Sequence, residues 1–308
     1  MSFLNKIPHK YKLWRYPIVL KLRYKMVSIF NPHTLRIKYW VNSRIFCWTP
    51  MIRPYNWGDY INPILAHLLT GRDIIPYTFN QGPSVAMVGS ILPWAMDKNT
   101  IVWGSGCLDS RSEDWNHIEK PRQVCAVRGP LTRNVLLQHD IECPEIYGDP
   151  ALLFPFYYQP TILKKKYKYG VIFHVSSLES AKMWLANNCN EDVLWINPAF
   201  FKSWKSFINE ICSCDAILSS SLHGIIIADA YRIPNVWVTL TNKEHPDNNF
   251  KFKDYFLSVN KSIEKPINID IFDETIISEH IKTWTVPQID LQQLLAACPF
   301  LESQTINK

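Results

Sequence analysis

Residues 214–230 have the sequence CDAILSSSLHGIIIADA. The apolar run Ala216–Leu218 is typical of a buried parallel strand. Three serines follow it, and serine favours turns and helix caps. An apolar helix is then predicted from Ile225 to Ala230. The stretch therefore predicts a strand, a turn and a helix, with the serines and His223 at the carboxyl end of the strand.

This position in the predicted fold favours a binding site. In open α/β sheets, ligands bind at the carboxyl edge of the strands. The free N–H groups and the dipole of the following helix favour an anion there. Gly224 allows the backbone to approach a ligand closely. The alternative is a plain strand-to-helix turn with His223 packed on it.

The same alternation of strands and helices is predicted along most of the chain. It indicates an α/β fold with parallel sheets. The first helix is expected to begin at Asn62-Pro63 and to end near Leu69. Further helices are predicted at 131–139 and 201–213. The other predicted strands are Ile45–Trp48, Ile74–Tyr77, Val85–Val88, Ile101–Trp103, Gln123–Val127, Gly170–Val175, Val193–Ile196 and Asn235–Val238.

These strands and helices are expected to be divided between two Rossmann-like domains. Pro155, Pro160 and the basic run 164–168 indicate a linker between them. We predict an N-terminal domain over 45–160 and a C-terminal domain over 161–308. A closing helix within 285–304 is expected to pack back on the first domain. A cleft between two such domains is a usual place for a ligand.

The beginning of the chain is strongly basic. Residues 1–58 contain eleven Lys or Arg and no Asp or Glu, with aromatic residues interleaved. We predict a basic extension over 1–44 that lies on an anionic membrane surface. A nucleic acid is the rival partner. The third interpretation is a solvated extension packed on its own domain.

Several classes of protein are disfavoured by the composition. No run of 18 uncharged apolar residues is present, so no transmembrane helix is predicted. The amino terminus lacks the pattern of a secretory signal. The eight cysteines include no CxxC pair, which indicates reduced thiols in a cytoplasmic protein. The absence of HxH and HExxH patterns predicts no metal site.

Six stretches, taken together and in order, resemble the polysaccharide pyruvyl transferases, in particular the ketal-forming members of bacterial exopolysaccharide synthesis. The resemblance covers residues about 45 to 260. The stretches are Asn56-Trp57-Gly58-Asp59, Val102-Trp103-Gly104-Ser105-Gly106, residues 126–133 (AVRGPLTR), residues 147–153 (YGDPALL), residues 219–224 (SSSLHG) and residues 250–255 (FKFKDY).

The resemblance implies two facing Rossmann-like domains arranged as in glycosyltransferase-B folds. It implies transfer of pyruvate from phosphoenolpyruvate, the co-substrate, to a hydroxyl pair of a polysaccharide or a lipid-linked sugar precursor, forming a ketal. No cofactor and no nucleic acid partner are expected. The C-terminal domain is expected to bind the donor and the N-terminal domain the acceptor. The enzyme would be cytoplasmic, and peripheral on the inner face of the cell membrane.

The resemblance also implies roles for particular residues. His223 and Arg128 are matched to a catalytic histidine and a catalytic arginine, and Asp59 joins them as an acid/base candidate. We expect His223 to protonate C3 of phosphoenolpyruvate, and Arg128 to bind one of its oxyanions. The predicted donor-binding residues are Ser219, Ser220, Ser221, Gly224, Arg128 and His174, and the predicted acceptor-binding residues are Asn56, Asp59, Gly104 and Ser105.

Alternatives to these roles follow from the residue types. Asn56 and Asp59 are also good helix caps, and Asp149 before Pro150 favours a structural turn. The aromatic segment Phe250–Phe256 is suited either to stacking on a sugar or to core packing. Two rival functions are a glycosyltransferase that uses a nucleotide sugar and a non-catalytic polysaccharide-binding protein.

Overall fold

The computed structural model describes residues 33–39, 56–76, 82–110, 115, 118–161, 165–240, 249–263 and 265–301. It contains two parallel five-stranded sheets, which confirms the predicted α/β class. The strands of the first sheet are β1 (Leu35–Lys38), β2 (Ile74–Pro76), β3 (Ser84–Ala86), β4 (Thr100–Trp103) and β5 (Gln123–Ala126), and those of the second are β6 (Tyr167–Ile172), β7 (Val193–Trp195), β8 (Cys214–Ser219), β9 (Asn235–Thr239) and β10 (Ile267–Asn268).

Both sheets have the same strand order. The first runs β2-β1-β3-β4-β5 and the second runs β7-β6-β8-β9-β10. In each sheet the first strand therefore lies between the second and the third. The chain adds its second strand on one side of the first strand and the later strands on the other side. Crevices at such switch points, outside the carboxyl ends of the strands, are where open α/β sheets bind ligands.

The helices connect and flank these strands. The longest is α1, which lies between β1 and β2 in the chain, and α6 directly follows β8. The helices are α1 (Trp57–Thr70), α2 (Pro130–Gln138), α3 (Phe154–Tyr157), α4 (Leu178–Asn188), α5 (Trp204–Cys212), α6 (Leu222–Ala230), α7 (Phe250–Ser258), α8 (Glu274–Thr283) and α9 (Leu291–Ala296), with short 3-10 turns at Pro150–Leu153 and Val175–Ser177.

The start of the first sheet differs from the prediction. Strand β1 lies within the predicted extension 1–44, between β2 and β3, so part of that extension belongs to the sheet. This strand was not predicted, because two of its four residues, Arg36 and Lys38, are basic. The ammonium group of Lys38 is buried and donates to the carbonyl of Ala95, to Thr100 Oγ1 and to Asp97 Oδ2. The predicted strand Ile45–Trp48 lies outside the described residues.

Helix α1 begins five residues earlier than predicted, because Asn56, not Asn62, is its cap. The Asn56 side chain accepts a hydrogen bond from the Gly58 amide at 3.1 Å. Pro63 lies inside the helix, where it cannot donate to the carbonyl of Asp59. Asn62 Nδ2 donates to that carbonyl instead, at 3.3 Å. A proline that normally marks a helix start is thereby accommodated one and a half turns in.

The end of the chain returns to the first domain. The closing helix is α9 alone, shorter than the predicted span 285–304, and α8 precedes it. The indole Nε1 of Trp103, on β4, donates to the carbonyl of Leu294 at 2.9 Å. Gly148 has a φ of 135°, and a Cβ there would lie 2.8 Å from Ile289. This last segment thus packs tightly against the first domain.

The apolar core joins the two halves. Trp57 on α1 stacks on Phe207 of α5, with ring centroids 4.6 Å apart. Both belong to one cluster of buried side chains that includes residues from both sheets. Within the part of the chain that the structure describes, no helix has the length and apolar character needed to span a membrane.

Candidate active site

A cavity of about 200 Å³ lies where the carboxyl ends of the two sheets meet. Gly89 and Ser90 reach it from the end of β3, His174 from the end of β6, and His223 from the end of β8. The residues that line it are Asn56, Asp59, Gly89, Ser90, Ile91, Trp94, Leu108, His174, Ser221, Leu222, His223 and Lys251.

Only one of the three predicted donor-binding serines lines this cavity. Ser219 is fully buried, and its hydroxyl donates to the carbonyl of Ser221 at 2.8 Å and accepts from the Ser221 amide. The Ser220 hydroxyl accepts from the His174 amide at 2.9 Å. Ser219 and Ser220 therefore shape the turn and fix His174. Ser221 alone faces the cavity, at the start of α6.

Helix α6 begins without a side-chain cap. The Ser221 amide donates to Ser219 Oγ and the Gly224 amide to the carbonyl of Ser221. The amides of Leu222 and His223 are therefore the ones that a ligand can use, and the helix dipole favours an anionic ligand. Gly224 serves packing rather than ligand approach, because a Cβ there would lie 2.3 Å from Ser219 Oγ. Gly224 was predicted to bind the donor, and it does not line the cavity.

The imidazole of His223 is held against α1. A Cβ on Gly58 would lie 2.1 Å from His223 Nδ1, so only glycine leaves room for the ring. Burial lowers the pKa of His223 to about 3, and the charges of Arg128, Lys251 and His174 contribute in the same direction. In the ligand-free site His223 is therefore neutral at pH 7.

Asp149 faces His223 from the neighbouring turn. Its Oδ2 lies 3.9 Å from His223 Nε2, and neither atom has a hydrogen-bond partner among the described residues. Burial raises the pKa of Asp149 to about 7, against the lowering effects of the Ala151 amide and Arg128. With one pKa raised and the other lowered, the two groups are not a fixed ion pair in the ligand-free site.

Asp59 also lines the cavity, from the first turn of α1, and follows the Gly58 that packs against the His223 ring. Asn62 fixes this turn to the end of β3, since its side chain donates to the carbonyl of Val88 and accepts from the Val88 amide. Burial raises the pKa of Asp59 to about 7. A carboxyl group with that pKa can accept or donate a proton near neutral pH.

Replacing this carboxyl group should change how stability depends on pH. The folded-state pKa of Asp59 is raised, so its stabilising contribution is complete below about pH 3.8 and is lost as the pH rises through about 7. Asp59→Asn removes that loss. We expect the variant to unfold at the wild-type temperature at pH 4 and to be more stable at pH 8, by on the order of 1–2 kcal/mol.

Thermal unfolding between pH 4 and pH 8 measures this effect. Asp290→Asn, at the exposed cap of α9, controls for the loss of one negative charge. Equal melting temperatures of Asp59→Asn and the wild type at pH 8 would show that burial does not oppose ionisation of Asp59.

Arg128 does not line the cavity. Its side chain is fully buried, and all three guanidinium nitrogens are engaged. Nε donates to Asp254 Oδ2 at 3.0 Å, Nη1 to Ser90 Oγ at 2.5 Å and Nη2 to the carbonyl of Cys107 at 2.6 Å. The direct contact of Arg128 with the donor therefore stays a prediction, and in the ligand-free site the guanidinium is engaged by the protein. Through Ser90, the guanidinium instead positions one wall of the cavity.

The partner of Arg128 comes from the C-terminal half of the chain. Asp254, on α7, also accepts from the Thr132 amide at 2.9 Å and from the Thr132 hydroxyl at 2.6 Å. It therefore caps the N-terminus of α2, whose own cap residue Gly129 has no side chain. A Cβ on Gly129 would lie 2.0 Å from the carbonyl oxygen of Asp254. We call Arg128, Thr132 and Asp254 the interdomain clamp.

Lys251 is the cavity residue that sequence reasoning missed. It lies in the first turn of α7, three residues before Asp254, and it lines the cavity although it is largely buried. The segment Phe250–Phe256 was noted for its aromatic residues, which pack inward: Phe252 stacks on Trp237 at 4.3 Å. A lysine between two phenylalanines, Phe250 and Phe252, was the available signal for a functional cation.

Two of the predicted acceptor residues serve the fold instead. Gly104 has a φ of 88°, and a Cβ there would lie 2.2 Å from Pro150. Ser105 is fully buried and donates to the carbonyl of Gly89 at 3.0 Å. Neither lines the cavity. Asn56 and Asp59 do, so the cavity contains half of the predicted acceptor set together with Ser221, His174 and His223 from the donor and catalytic sets.

Comparison with known proteins places the chain in a family. Residues 2–242 match the family model of the polysaccharide pyruvyl transferases. An uncharacterized protein L143 of Acanthamoeba polyphaga mimivirus is 29% identical over 210 residues, 66% of this chain and 71% of that protein. The succinoglycan biosynthesis protein ExoV of Rhizobium meliloti is 31% identical over 216 residues, 66% of this chain and 64% of ExoV.

The chain belongs to the polysaccharide pyruvyl transferase family. This membership supports a transferase. The match extends to residue 2, beyond the stretches quoted above. Among solved structures, one of a functionally uncharacterized protein of Klebsiella pneumoniae is 14% identical, with a TM-score of 0.41, over 77% of this chain and 93% of that chain.

Proposed function

We propose that the chain transfers the pyruvyl group of phosphoenolpyruvate to two hydroxyl groups of a saccharide, forming a pyruvate ketal and releasing phosphate. The observation that carries this proposal is the convergence of three helix N-termini on one small cavity. Helix α1 begins there at Asn56, α6 at Ser221, and α7 presents Lys251 from its first turn. Helix N-termini and a lysine together favour an anion.

The size and charge of the cavity suit this donor. Phosphoenolpyruvate is a compact trianion, and pockets for larger, drug-sized ligands are usually about 300–1,000 Å³. A cavity of about 200 Å³ is better matched to the donor than to a nucleotide sugar. The first-turn amides of α6 and the ammonium group of Lys251 are the groups assigned to its oxyanions.

The reaction needs one acid and a base for each hydroxyl group. Protonation of C3 makes C2 electrophilic, and the first hydroxyl oxygen bonds to C2 as it loses its proton to a base. The bond from C2 to the phosphate oxygen then breaks, and the second hydroxyl oxygen takes its place. The second hydroxyl proton leaves with phosphate. We assign the acid to His223, which takes back a proton from the first hydroxyl group. We assign the base for the second hydroxyl group to Asp59, which passes that proton to the departing phosphate. Both side chains line the cavity.

The acceptor is assigned to the side of the cavity formed by Asn56 and Asp59. A polysaccharide or a lipid-linked precursor is the class expected for this family. Association with an anionic membrane belongs to the same proposal, and its support is the excess of basic residues in 1–58. Most of those residues lie outside the part of the chain that the structure describes.

Phosphate release in the presence of a panel of saccharide acceptors tests the proposal. We expect release that depends on both phosphoenolpyruvate and one acceptor, and thermal stabilisation by phosphoenolpyruvate alone. Stabilisation by a nucleotide sugar, without any response to phosphoenolpyruvate, would identify a glycosyltransferase instead. Acceptor binding without phosphate release would identify a binding protein.

Removing the cavity cation should weaken donor binding. Lys251→Met deletes a charged hydrogen-bond donor, and such bonds contribute about 1.5–3 kcal/mol. We expect the Kd for phosphoenolpyruvate to rise about 10- to 100-fold, measured by calorimetry. Lys253→Met, on the same helix but outside the cavity, is the matched control and should bind normally. Equal affinities of the two variants would exclude Lys251 as a donor ligand.

A further inference from the structure

The carboxyl group of Asp149 is fixed by its own turn. Its Oδ1 accepts from the Ala151 amide at 2.9 Å, which caps the turn Pro150–Leu153. This turn packs against α6, the helix that carries His223. Asp149 is 1% exposed, and its Oδ2 is left without a hydrogen-bond partner in the described structure. A buried carboxylate oxygen of this kind needs a functional explanation.

The ring nitrogen opposite that oxygen is unpartnered as well. His223 Nε2 is buried and lacks a hydrogen-bond partner among the described residues, and it lies 3.9 Å from Asp149 Oδ2. Gly58 supports the ring from the other side, and no Cβ would fit between them. The ring therefore stays aimed at Asp149. Its other nitrogen, Nδ1, is the ring atom nearest to Gly58, so a ligand in the cavity that His223 lines has to reach it beside the start of α1.

We propose that Asp149 is the positioning residue of His223: in the donor complex its carboxylate accepts a hydrogen bond from Nε2–H and leaves Nδ1 as the nitrogen that exchanges a proton with the substrate. The inference rests on the proposed function. A separation of 3.9 Å is too long for a hydrogen bond. Catalytic hydrogen bonds are often long in ligand-free structures, however, and shorten when substrate binds. The arrangement has the logic of an aspartate that orients a catalytic histidine.

The proton route balances within this pair. In the ligand-free site the carboxyl group of Asp149 carries a proton below about pH 7, and we assign the proton of neutral His223 to Nδ1. Donor binding draws the Asp149 proton to Nε2 and creates an imidazolium that faces a carboxylate. Nδ1 then gives its proton to C3 of phosphoenolpyruvate. The first saccharide hydroxyl returns a proton to Nδ1 as its oxygen bonds to C2, so the pair is restored.

The charged groups around the pair favour this transfer when the donor is present. Besides burial, the charges of Arg128, Lys251 and His174 lower the pKa of His223. On the other side of the pair, the negative charge of Asp149 contributes to raising the pKa of Tyr255. The donor trianion offsets the three cations and raises the pKa of His223. The negative charge of the bound donor also disfavours ionisation of Asp149. The Asp149 carboxylate is therefore expected to form only together with the His223 imidazolium that faces it.

Asp149→Asn tests the proposal, because asparagine can still cap the Ala151 amide but cannot accept the Nε2 proton. We expect kcat for phosphate release to fall on the order of 10²-fold or more, with the KM for phosphoenolpyruvate changed only a few-fold. Asp273→Asn makes the same change at the exposed cap of α8 and should leave kcat unchanged.

Nitrogen NMR of histidine-labelled protein gives a readout that a purely structural role would not change. In the wild-type complex with phosphoenolpyruvate, both ring nitrogens of His223 should be protonated; in Asp149→Asn, Nε2 should not be. The His223→Gln spectrum assigns the signal. A wild-type complex with an unprotonated Nε2 overturns the inference even when the variant does not fold, as does an Asp149→Asn variant with near-normal kcat. A wild type that does not bind phosphoenolpyruvate refutes the proposed function itself.

Discussion

His223→Gln is expected to lower turnover on the order of 10²-fold or more, while affinity for phosphoenolpyruvate changes only a few-fold. Glutamine keeps a hydrogen-bond donor toward the bound anion but cannot transfer a proton at neutral pH. Its side chain must still fit against Gly58, whose Cα leaves no room for a Cβ beside the ring. Single-turnover phosphate release gives the rate, and calorimetry gives the affinity.

The control for this substitution is His67→Gln. His67 is exposed on α1 and contacts the carbonyl of Arg72, so its loss should affect neither quantity. If His223→Gln keeps its turnover but binds phosphoenolpyruvate weakly, His223 is a ligand for the donor. The acid would then have to be sought among Asp59, Asp149 and His174.

The ligand-free state of His223 places a condition on its role as the acid. A pKa lowered to about 3 means that the free enzyme offers no imidazolium at pH 7. The acid must therefore be generated by donor binding, which brings negative charge next to Lys251 and His174. This condition separates the mechanism from one in which a permanently charged histidine merely attracts the donor.

The sequence predicted the edge of the sheets at which the cavity lies. The apolar strand before Ser219, and the helix after Ser221, are local features with a clear period and clear caps. His223 follows from them, because the first turn of the helix after such a strand lies at the carboxyl edge of the sheet, where ligands bind. Asn56 and Asp59 could be predicted for a similar reason. They lie at the start of α1, which is capped by a hydrogen bond between residues two apart in the chain, Asn56 and Gly58.

Long-range contacts explain most of what could not be predicted. Arg128 was assigned to the donor because an arginine at a strand end is free to reach a ligand. Its actual partner, Asp254, is 126 residues away in the chain, and no local pattern reveals that pairing. Ser219 and Ser220 were assigned as a group of three with Ser221. Which hydroxyl faces outward is decided by the geometry of one tight turn.

The interdomain clamp should make a large contribution to stability. Asp254→Leu leaves the guanidinium of Arg128 buried without a counter-charge, and breaking such a buried pair costs about 3–5 kcal/mol. Arg128→Met leaves the carboxylate of Asp254 in the same condition. We expect each single variant to lower the free energy of unfolding by this amount, measured by urea denaturation.

The double variant Arg128→Met with Asp254→Leu distinguishes a clamp from two independent contacts. Because both charges are gone, its loss of stability should be much smaller than the sum of the single losses. Lys168→Met, in the half-exposed pair with Glu274, is the control for removing a cation from a solvated ion pair, and it should lower stability far less than either clamp variant. Additive losses in the double variant would mean that Arg128 and Asp254 do not depend on each other. A different result, unchanged stability of Arg128→Met together with weak binding of phosphoenolpyruvate, would identify Arg128 as a direct ligand of the donor.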